Sequence, residues 1–353
     1  MKKGVATVAQ LFEFDEIIDT RSPAEFAEDR IPGAMSCPVL DNEQRARVGT
    51  LYKQVSPFEA RRLGGALVAE NIARHLLTHF QDKPKNWRPL VYCWRGGQRS
   101  GAFVTWMRMI GWDACQLEGG YKAFRHHVVN ELMAYSTLLQ FRVVCGATGS
   151  GKTRLLEALA RQGAQVLDLE DAAAHKGSVL GALPHRRQPS QKAFETALWA
   201  QMRRFDRSRP VFIEAESRKI GRIHLPEPLI ESMRNSPCIA IEANREARLE
   251  FLLGDYAYLG DNIPSLQEKI ACLKGLQSNE TLARWHKLAE AGSLAELFAE
   301  FIDRHYDPLY HRSQNRNFRQ FGQAPVFTTE DLSPAGLDEL AGRLLVAFSP
   351  AQG

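Results

Sequence analysis

Residues 143–159 read VVCGATGSGKTRLLEAL, an apolar run followed by a glycine-rich loop and a segment with apolar residues at helical spacing. The segment satisfies the pattern G-x-x-x-x-G-K-[ST] between a strand and an amphipathic helix. In such a loop the backbone N–H groups converge on a phosphate, the lysine adds a positive charge and the threonine hydroxyl can hold Mg²⁺. The pattern therefore predicts a phosphate-binding loop that comprises Gly146, Ala147, Thr148, Gly149, Ser150, Gly151, Lys152 and Thr153.

Strand-like and helix-like segments alternate along the chain, which favours α/β layers built on parallel sheets. A length of 353 residues is sufficient for two domains with separate cores. We expect a first α/β domain over residues 1–128 with a mostly helical insertion at 41–86, a helical connector over 129–139 and a second α/β domain over 140–353. The phosphate-binding loop lies at the start of the second domain.

Local signals predict several element boundaries. Ser22 followed by Pro23 predicts the start of a helix, and Gly111 stands where a helix C-cap is expected. In the second domain, five apolar runs predict strands: QFRVVCG, AQVLDLE, RPVFIEAE, SPCIAIEA and APVFTT.

The composition is that of an ordinary globular chain, with 44% apolar and 24% charged residues. The N-terminus lacks the apolar stretch of a signal peptide, and no run approaches the roughly 18 apolar residues of a membrane span. We therefore expect a cytoplasmic protein with no membrane partner. Six cysteines without a CxxC pair indicate neither a zinc site nor a disulfide framework. A net charge of +4 permits an anionic partner without requiring one.

A cysteine in the stretch LVYCWRGGQRSG, residues 90–101, is the candidate nucleophile. Cys93 ends a predicted strand, and the loop that follows leads into a helix. The helix N-terminus, the loop N–H groups and the nearby Arg95 and Arg99 are expected to favour a thiolate. The same cradle could hold a persulfide sulfur or an oxyanion. A cysteine at a strand end is often a packing residue, but packing requires neither the two glycines nor the two arginines found here. The other five cysteines are interpreted as structural. The predicted active-site loop is Trp94, Arg95, Gly96, Gly97, Gln98 and Arg99.

Acidic residues follow two strands of the second domain. Glu214 and Glu216 end the segment PVFIEAES, and either could reach a metal ion or its waters. Another strand ends in Asp168, Glu170 and Asp171, of which Asp168 is a further candidate, and acids at a helix N-terminus are also favoured by the helix dipole. Solvated strand ends explain these residues equally well, so the sequence assigns no certain metal ligand.

Basic residues cluster in two loops of the second domain, at 175–195 and 216–226. Lysine and arginine side chains that neutralise the phosphates of a nucleic acid release counterions, which favours binding. The tyrosines of residues 305–320 can stack on bases. These features predict a nucleic-acid-binding face on the two loops. Residues 43–75 of the helical insertion are the next candidate for that face. The predicted contact residues are Arg186, Arg187, Arg218, Lys219 and Arg222.

The first domain resembles the rhodanese sulfurtransferases. The segments IIDTRSPAEFAEDRIPGAMSCPV, CWRGGQRS and LEGGYKAF carry the resemblance, with Arg30 where many rhodaneses have histidine. It implies that Cys93 carries sulfur as a persulfide and that Asp19 and Arg21 form part of the framework near the site. It also implies a neighbouring turn at Gly119 and Gly120. Dual-specificity phosphatases are a poorer match because Tyr92 stands where they usually have histidine, although the Cys93 to Arg99 spacing is compatible with them.

The chain as a whole resembles the tRNA 2-selenouridine synthase family, which joins a rhodanese-like α/β domain to a P-loop NTPase-like α/β domain. YCWRGGQRSG, GATGSGKT, DLEDAAAHKGSVLG and YDPLY are among the matching stretches. The resemblance implies selenium transfer from selenophosphate to wobble 2-thiouridine of tRNA, through an S-geranyl intermediate made from geranyl diphosphate. Cys93 would then be the nucleophile that handles the chalcogen, and the loop around Lys152 a diphosphate site with Mg²⁺. An enzyme that supplies selenophosphate is an implied partner.

Two other interpretations remain open from the sequence. A rhodanese-type sulfurtransferase with an accessory ATP-binding domain would use the same two motifs without tRNA. A binding module whose phosphate loop regulates a partner is disfavoured by the intact Cys93 loop. Whether ATP is bound is left open by the motif itself, because prenyl diphosphates offer a similar pyrophosphate.

Overall fold

The computed structural model describes residues 4–178 and 180–348, which form two compact units. The first unit extends to Glu131 and also includes Pro189–Ala200. The second unit comprises Leu132–Gln188 and the residues from Gln201 onward. A segment far along the chain therefore folds with the first unit.

The first unit contains a five-stranded sheet in which each neighbouring pair of strands is parallel. The strand order is β1-β5-β4-β2-β3, and all four residues of the central strand β4 are buried. A parallel sheet brings the carboxyl ends of its strands to one edge, where the loop after β4 begins. The strands are β1 Val5–Ala6, β2 Glu16–Asp19, β3 Met35–Ser36, β4 Pro89–Tyr92 and β5 Cys115–Leu117.

The helices of the first unit follow the predicted boundaries closely. Ser22 caps the first helix, and its side chain accepts the Glu25 N–H while the Glu25 carboxylate accepts the Ser22 N–H. Pro23 is the first helical residue, as predicted. Gly111 ends α4 with a φ of 113°, which confirms the predicted C-cap. The helices are α1 Pro23–Glu28, α2 Asn42–Gln54, α3 Pro57–His79, α4 Gln98–Ile110 and α5 Gly120–Leu138.

An ion pair is buried beneath the sheet edge of the first unit. Arg21 and Asp19 are 1% and 0% exposed, and the guanidinium donates to both carboxylate oxygens at 2.6–3.0 Å. Burial alone would lower the pKa of Arg21, but the hydrogen bonds and charge of Asp19 raise it above its ordinary value. Tyr92, the last residue of β4, donates its hydroxyl to Asp19 at 2.6 Å, and the Tyr121 ring lies 4.0 Å below the guanidinium.

The second unit has its own parallel sheet, in the order β12-β11-β6-β8-β7, and all five predicted strands are present. A short antiparallel hairpin, β9 and β10, stands apart from it. The strands are β6 Phe141–Gly146, β7 Gln165–Leu167, β8 Val211–Glu214, β9 Lys219–Ile220, β10 Ile223–His224, β11 Cys238–Ala243 and β12 Val326–Thr329.

Two apolar cores stabilise the second unit. One lies between the sheet and helices α6 and α15, and the other lies among helices α10 to α13 around the buried Trp285. The helices from α6 to α10 are α6 Lys152–Arg161, α7 Leu169–Ala173, α8 Gln191–Met202, α9 Glu227–Asn235 and α10 Arg245–Asp255. The remaining helices are α11 Ile263–Ala271, α12 Asn279–Glu290, α13 Leu294–Phe301, α14 Asp307–Asn317 and α15 Pro334–Phe348.

Helix α8 packs within the first unit up to Ala200. The Thr196 hydroxyl donates to the buried carboxylate of Asp29 at 3.0 Å, and Glu195 forms an ion pair with Arg125. Trp199 meets the Phe124 ring edge-on at 5.4 Å. These contacts explain why the segment belongs to the first unit although it lies between two strands of the second.

The buried ion pair generates a prediction about stability. Arg21→Met leaves the Asp19 carboxylate buried without its cation, so we expect a loss of roughly 3–5 kcal/mol in the free energy of unfolding. Urea denaturation is the measurement. Arg74→Met is the matched control, because Arg74 forms an exposed pair with Glu70 that is worth at most about 1 kcal/mol. Equal effects of the two substitutions would contradict the prediction.

Candidate functional site

The Cys93 loop lies at the carboxyl end of β4, as predicted. Cys93 is 3% exposed, and the chain passes through Trp94–Gly97 before α4 begins at Gln98. The Cys93 Sγ accepts a hydrogen bond from the Gly97 N–H at 3.3 Å and from the Ser100 hydroxyl at 3.1 Å. The sulfur therefore faces two neutral hydrogen-bond donors.

The predicted turn at Gly119 and Gly120 lies directly beside this loop. The Tyr121 N–H donates to the Cys93 carbonyl at 2.8 Å, and the Lys122 N–H donates to the Trp94 carbonyl at 3.0 Å. Gly120 has a φ of 56°, and a Cβ there would lie 2.3 Å from the Cys93 oxygen. Only glycine permits this close approach. The turn therefore holds the backbone of Cys93 in place.

The two arginines of the loop lie in different surroundings. Arg99 binds Glu25 through two hydrogen bonds, of 2.7 and 3.3 Å, and Arg95 is exposed. Burial would raise the pKa of Glu25, but the Arg99 hydrogen bond and charge hold it below its ordinary value. The Arg99 charge is thus compensated by a carboxylate, which corrects the expectation that it stabilises the thiolate directly.

Helix α8 adds a cation near the loop. The Lys192 ammonium lies 5.9 Å from the centre of the Trp94 ring and pairs with Glu28 at 2.7 Å. Trp94 in turn stacks against Tyr121 at 5.4 Å. Lys192 could not be assigned to this site from the sequence, because it lies 99 positions after Cys93.

Other cysteines lie in settings that favour the neutral thiol. Burial raises the pKa of Cys37 to about 12, and burial also raises the pKa of Cys115. A thiol with a raised pKa is little ionised at neutral pH and is therefore a poor nucleophile. These two residues fit the structural role predicted for them.

The phosphate-binding loop connects β6 to α6 as its motif requires. Gly149 has a φ of 85°, and a Cβ there would lie 2.9 Å from the Leu252 side chain, so the loop is pressed against α10. Lys152 folds back over the loop and donates to the carbonyls of Gly146 at 2.9 Å and Ala147 at 3.4 Å. These are bonds that a bound phosphate would replace.

The loop is also held from outside. Arg248, 7% exposed, donates to the Thr148 carbonyl at 3.0 Å and binds the Asp307 carboxylate through two hydrogen bonds of 2.5 and 3.0 Å. The loop geometry is therefore fixed by side chains of α10 and α14.

Three carboxylates meet beside the loop. Ligand oxygens of Glu170, Glu214 and Glu216 lie within 4.8 Å of one another, and Thr153 donates its hydroxyl to Glu170 at 2.8 Å. Burial and mutual repulsion raise the pKa of Glu170 to about 7 and that of Glu214 well above its ordinary value, while burial raises the pKa of Glu216 to about 6. Oxygen donors of this kind suit a hard divalent cation such as Mg²⁺.

The sequence singled out Glu214, Glu216 and Asp168 as possible metal or water-positioning residues, whereas Glu170 was noted only as one of the acids at a strand end. Asp168, which was named, accepts the Asp171 N–H at 2.8 Å and caps α7 instead of joining the three carboxylates. A signal for Glu170 existed, because β7 and β8 are neighbouring parallel strands whose carboxyl ends coincide. It could be used only once that pairing was known.

A cleft of about 650 Å³ opens from the phosphate-binding loop. Its floor carries Lys152, Thr153 and the three carboxylates. Apolar or aromatic side chains form one part of its wall and charged side chains, including Arg154, Lys176 and Arg186, form another, a combination that suits a ligand with a charged head and an apolar tail. The wall residues include Leu183, Phe251, Leu252, Tyr256, Tyr306, Leu309, Tyr310 and Phe318. Tyr306 and Tyr310, which the sequence suggested for base stacking, therefore face this cleft.

The predicted nucleic-acid contacts lie on exposed parts of the second unit. Arg186 pairs with Asp171 at 2.7 Å and Arg218 with Glu227 at 2.6 Å. Arg222 donates to the Gln188 carbonyl, and Arg187 and Lys219 are exposed. Exposed pairs of this kind contribute little stability, so a nucleic-acid phosphate can displace the carboxylates.

None of the described helices is both long enough and apolar enough to cross a membrane.

Two family models match the chain. The model described as a rhodanese-like domain matches residues 5–127, and the model described as the tRNA 2-selenouridine synthase AAA domain matches residues 139–274. They agree with the predicted fold class, a rhodanese-like domain followed by a P-loop domain.

Three relatives carry the description tRNA 2-selenouridine synthase. The one from Nitrosomonas europaea is 35% identical over 258 residues, which cover 72% of this chain and 66% of the relative. The one from Alcanivorax borkumensis is 39% identical over 243 residues, which cover 68% and 66%. The one from Aeromonas salmonicida is 32% identical over 337 residues, which cover 86% and 88%.

The carboxylate cluster generates a prediction about pH. Raised pKa values in the folded state mean that the carboxylates hold their protons better there than in the unfolded chain, so stability falls as pH rises from about 4.5 through 7. Mg²⁺ offsets the negative charge of the ionised carboxylates, so the rise in melting temperature that it produces should be larger at pH 8 than at pH 5.5. Calorimetry with and without millimolar MgCl₂ measures this rise.

Glu214→Gln should reduce both the fall in stability with pH and the stabilisation by Mg²⁺. Glu231→Gln, on the exposed face of α9, is the matched control and should change neither. An Mg²⁺ effect that is independent of pH, or that survives in Glu214→Gln, would contradict the assignment of the cluster.

Proposed function

The chain belongs to the family of tRNA 2-selenouridine synthases, and we propose that it replaces the sulfur of wobble 2-thiouridine in tRNA with selenium. The observation that carries the proposal is the presence in one chain of two different sites. One is a cysteine whose sulfur accepts two hydrogen bonds, and the other is a phosphate-binding loop that opens on a cleft whose wall is partly apolar. A simple sulfurtransferase needs only the first site, and a simple ATPase needs no apolar cleft.

Geranyl diphosphate is the proposed ligand of the cleft. Its diphosphate would bind the loop N–H groups and Lys152, and its isoprenoid tail would lie against the apolar wall near Phe251 and Leu309. Mg²⁺ would be held by Thr153 and the carboxylates of Glu170, Glu214 and Glu216, where it neutralises the diphosphate. ATP offers the loop a similar phosphate chain, but its polar ribose gains little from this wall.

The proposed reaction has two displacements. The thiocarbonyl sulfur of the base first attacks carbon 1 of geranyl diphosphate, so a carbon–sulfur bond forms and diphosphate leaves with the electron pair. Lys152 stabilises the charge that develops on this leaving group. A selenium nucleophile then attacks carbon 2 of the base, and geranylthiolate leaves and is protonated. Alkylation is useful because a thiolate leaves far more readily than sulfide.

Cys93 is proposed as the nucleophile that handles the chalcogen on the selenophosphate side of the reaction. If its thiolate attacks phosphorus, a sulfur–phosphorus bond forms and selenium leaves with its electron pair as hydrogen selenide. Water then hydrolyses the thiophosphate to phosphate and regenerates the thiolate. This sequence needs no oxidant, whereas a perselenide made from selenide and a thiol would require the removal of two electrons.

The tRNA is proposed to bind through Arg186, Arg187, Arg218, Lys219 and Arg222. Both loops are exposed, and Arg186 also borders the cleft that would bind the alkyl donor. Such contacts go mainly to phosphates and position the anticodon arm without selecting its sequence.

Separate substitutions should divide the reaction into its two halves. Lys152→Ala removes the cation that faces the diphosphate, so we expect geranylation of 2-thiouridine tRNA to slow roughly a hundredfold. Cys93→Ser should leave geranylation intact and abolish selenouridine, so that S-geranyl-2-thiouridine accumulates. Mass spectrometry of nucleosides from tRNA treated with the purified protein measures both products.

Lys287→Ala and Cys115→Ser are the controls, because both residues lie outside the two sites. Full selenation by Cys93→Ser would contradict the role of that cysteine. Rapid ATP hydrolysis stimulated by tRNA, without measurable affinity for geranyl diphosphate, would contradict the assigned ligand of the cleft.

Salt dependence tests the proposed tRNA face. Replacing Arg186, Arg187, Arg218 and Lys219 together with alanine should weaken tRNA binding and flatten its salt dependence by about 0.7–0.9 in log–log slope for each lost phosphate contact. Filter binding at several salt concentrations measures this slope. The comparison variant carries alanine at Arg45, Arg47, Lys53, Arg61 and Arg62 of the helical insertion. An unchanged slope in the first variant and a flatter slope in the second would move the face to the insertion.

A further inference from the structure

The hydroxyl of Ser100 has two acceptors within reach, and its choice between them decides how the Cys93 sulfur is stabilised. Ser100 Oγ lies 3.1 Å from Cys93 Sγ and 3.4 Å from the Gly97 carbonyl oxygen. Ser100 is 0% exposed, so its single proton must be directed to one of these two atoms. Donation to the carbonyl would leave the sulfur with the Gly97 N–H alone.

Gln116 donates a hydrogen bond to the Gly97 carbonyl, the acceptor that competes with the Cys93 sulfur for the Ser100 proton. Its Nε2 lies 2.9 Å from the Gly97 carbonyl and 2.8 Å from Ser100 Oγ. Because a carbonyl can only accept, the amide group that faces it must be the NH₂, and the same NH₂ therefore donates to the Ser100 oxygen. The Gly101 N–H also donates to the Gly97 carbonyl, at 3.0 Å, so both lone pairs of that oxygen are occupied and the Ser100 proton is left to point at the sulfur.

The sheet holds Gln116 in this place. Gln116 is the middle residue of β5, and it lies in register with Val91 of the neighbouring strand β4, two residues before Cys93. Its side chain is partly buried and reaches over the start of α4. A strand residue with fixed register can orient a hydroxyl more accurately than a loop residue can.

We propose that Gln116 is a positioning residue that directs the Ser100 hydroxyl at Cys93 Sγ, and that Ser100 is the side-chain donor that stabilises the sulfur anion. The sulfur carries negative charge when it attacks and again when it leaves. A hydrogen bond to an ionised acceptor is about twice as strong as one between neutral groups, so the Ser100 donor favours the thiolate over the thiol. The inference rests on the proposed function only in taking Cys93 as the working nucleophile.

The test is the pH dependence of Cys93 alkylation in the full chain, which requires neither tRNA nor selenium. Iodoacetamide reacts with the thiolate, and mass spectrometry of the peptide that contains Cys93 separates it from the other five cysteines. In Ser100→Ala, the pH of half-maximal alkylation should rise by about one unit, and in Gln116→Met it should rise by a smaller amount. Gln54→Met, an exposed substitution in α2, should leave it unchanged.

The double variant Ser100→Ala/Gln116→Met distinguishes the proposed relay from a general loosening of the loop. If Gln116 acts through Ser100, the double variant titrates like Ser100→Ala alone. A further rise in the double variant would show that Gln116 acts through the Gly97 carbonyl and would overturn the relay.

An unmoved pH of half-maximal alkylation in a Ser100→Ala protein of unchanged melting temperature would overturn the role of Ser100. Should Gln116→Met fail to fold, Gln116→Asn replaces it, because the shorter amide cannot reach both acceptors. Loss of selenation in Cys93→Ser together with a normal titration in Ser100→Ala would refute this inference and leave the proposed function intact.

Discussion

Both candidate sites depend on backbone N–H groups turned inward where a parallel strand ends and a helix begins. Such a turn brings atoms closer than a Cβ permits, and the structure has glycine at close contacts, Gly120 beside the first loop and Gly149 in the second. An ion pair stabilises each loop, Arg99 with Glu25 in one case and Arg248 with Asp307 in the other. The arginines stabilise the loops and leave the loop interior to the backbone donors.

Buried carboxylates have different partners in the two units, and this difference points to the carboxylate cluster of the second unit as the proposed cation site. The Asp19 carboxylate is buried with a cation and a phenol bonded to it, so its charge is compensated within the protein. The carboxylates of Glu170, Glu214 and Glu216 have only hydroxyl and N–H donors, and their pKa values rise as a result of burial and, for the first two, mutual repulsion. Such a cluster reaches its lowest free energy when an external cation binds.

Local sequence signals predicted the elements that depend on neighbouring residues, including the Ser22 cap, the Gly111 helix end and the strands of both sheets. They could not predict contacts that depend on strand pairing. Glu170 meets Glu214 only because β7 and β8 are neighbours, and Gln116 reaches Ser100 only because β5 is in register with β4. Helix α8 is a further case, since its residues lie within the second half of the chain and pack on the first unit.

The chemistry of the proposed reaction explains why the two loops differ in their charges. The first must stabilise an anion that belongs to the protein, the Cys93 sulfur, and neutral donors such as Ser100 do so without binding it permanently. An uncompensated arginine at the same place would stabilise the thiolate so strongly that its nucleophilicity would fall. The second loop must bind an anion that arrives from solution and leaves as free diphosphate, so it uses Lys152 and a metal-binding cluster. Pairing Arg99 with Glu25 thus preserves the reactivity of the thiolate.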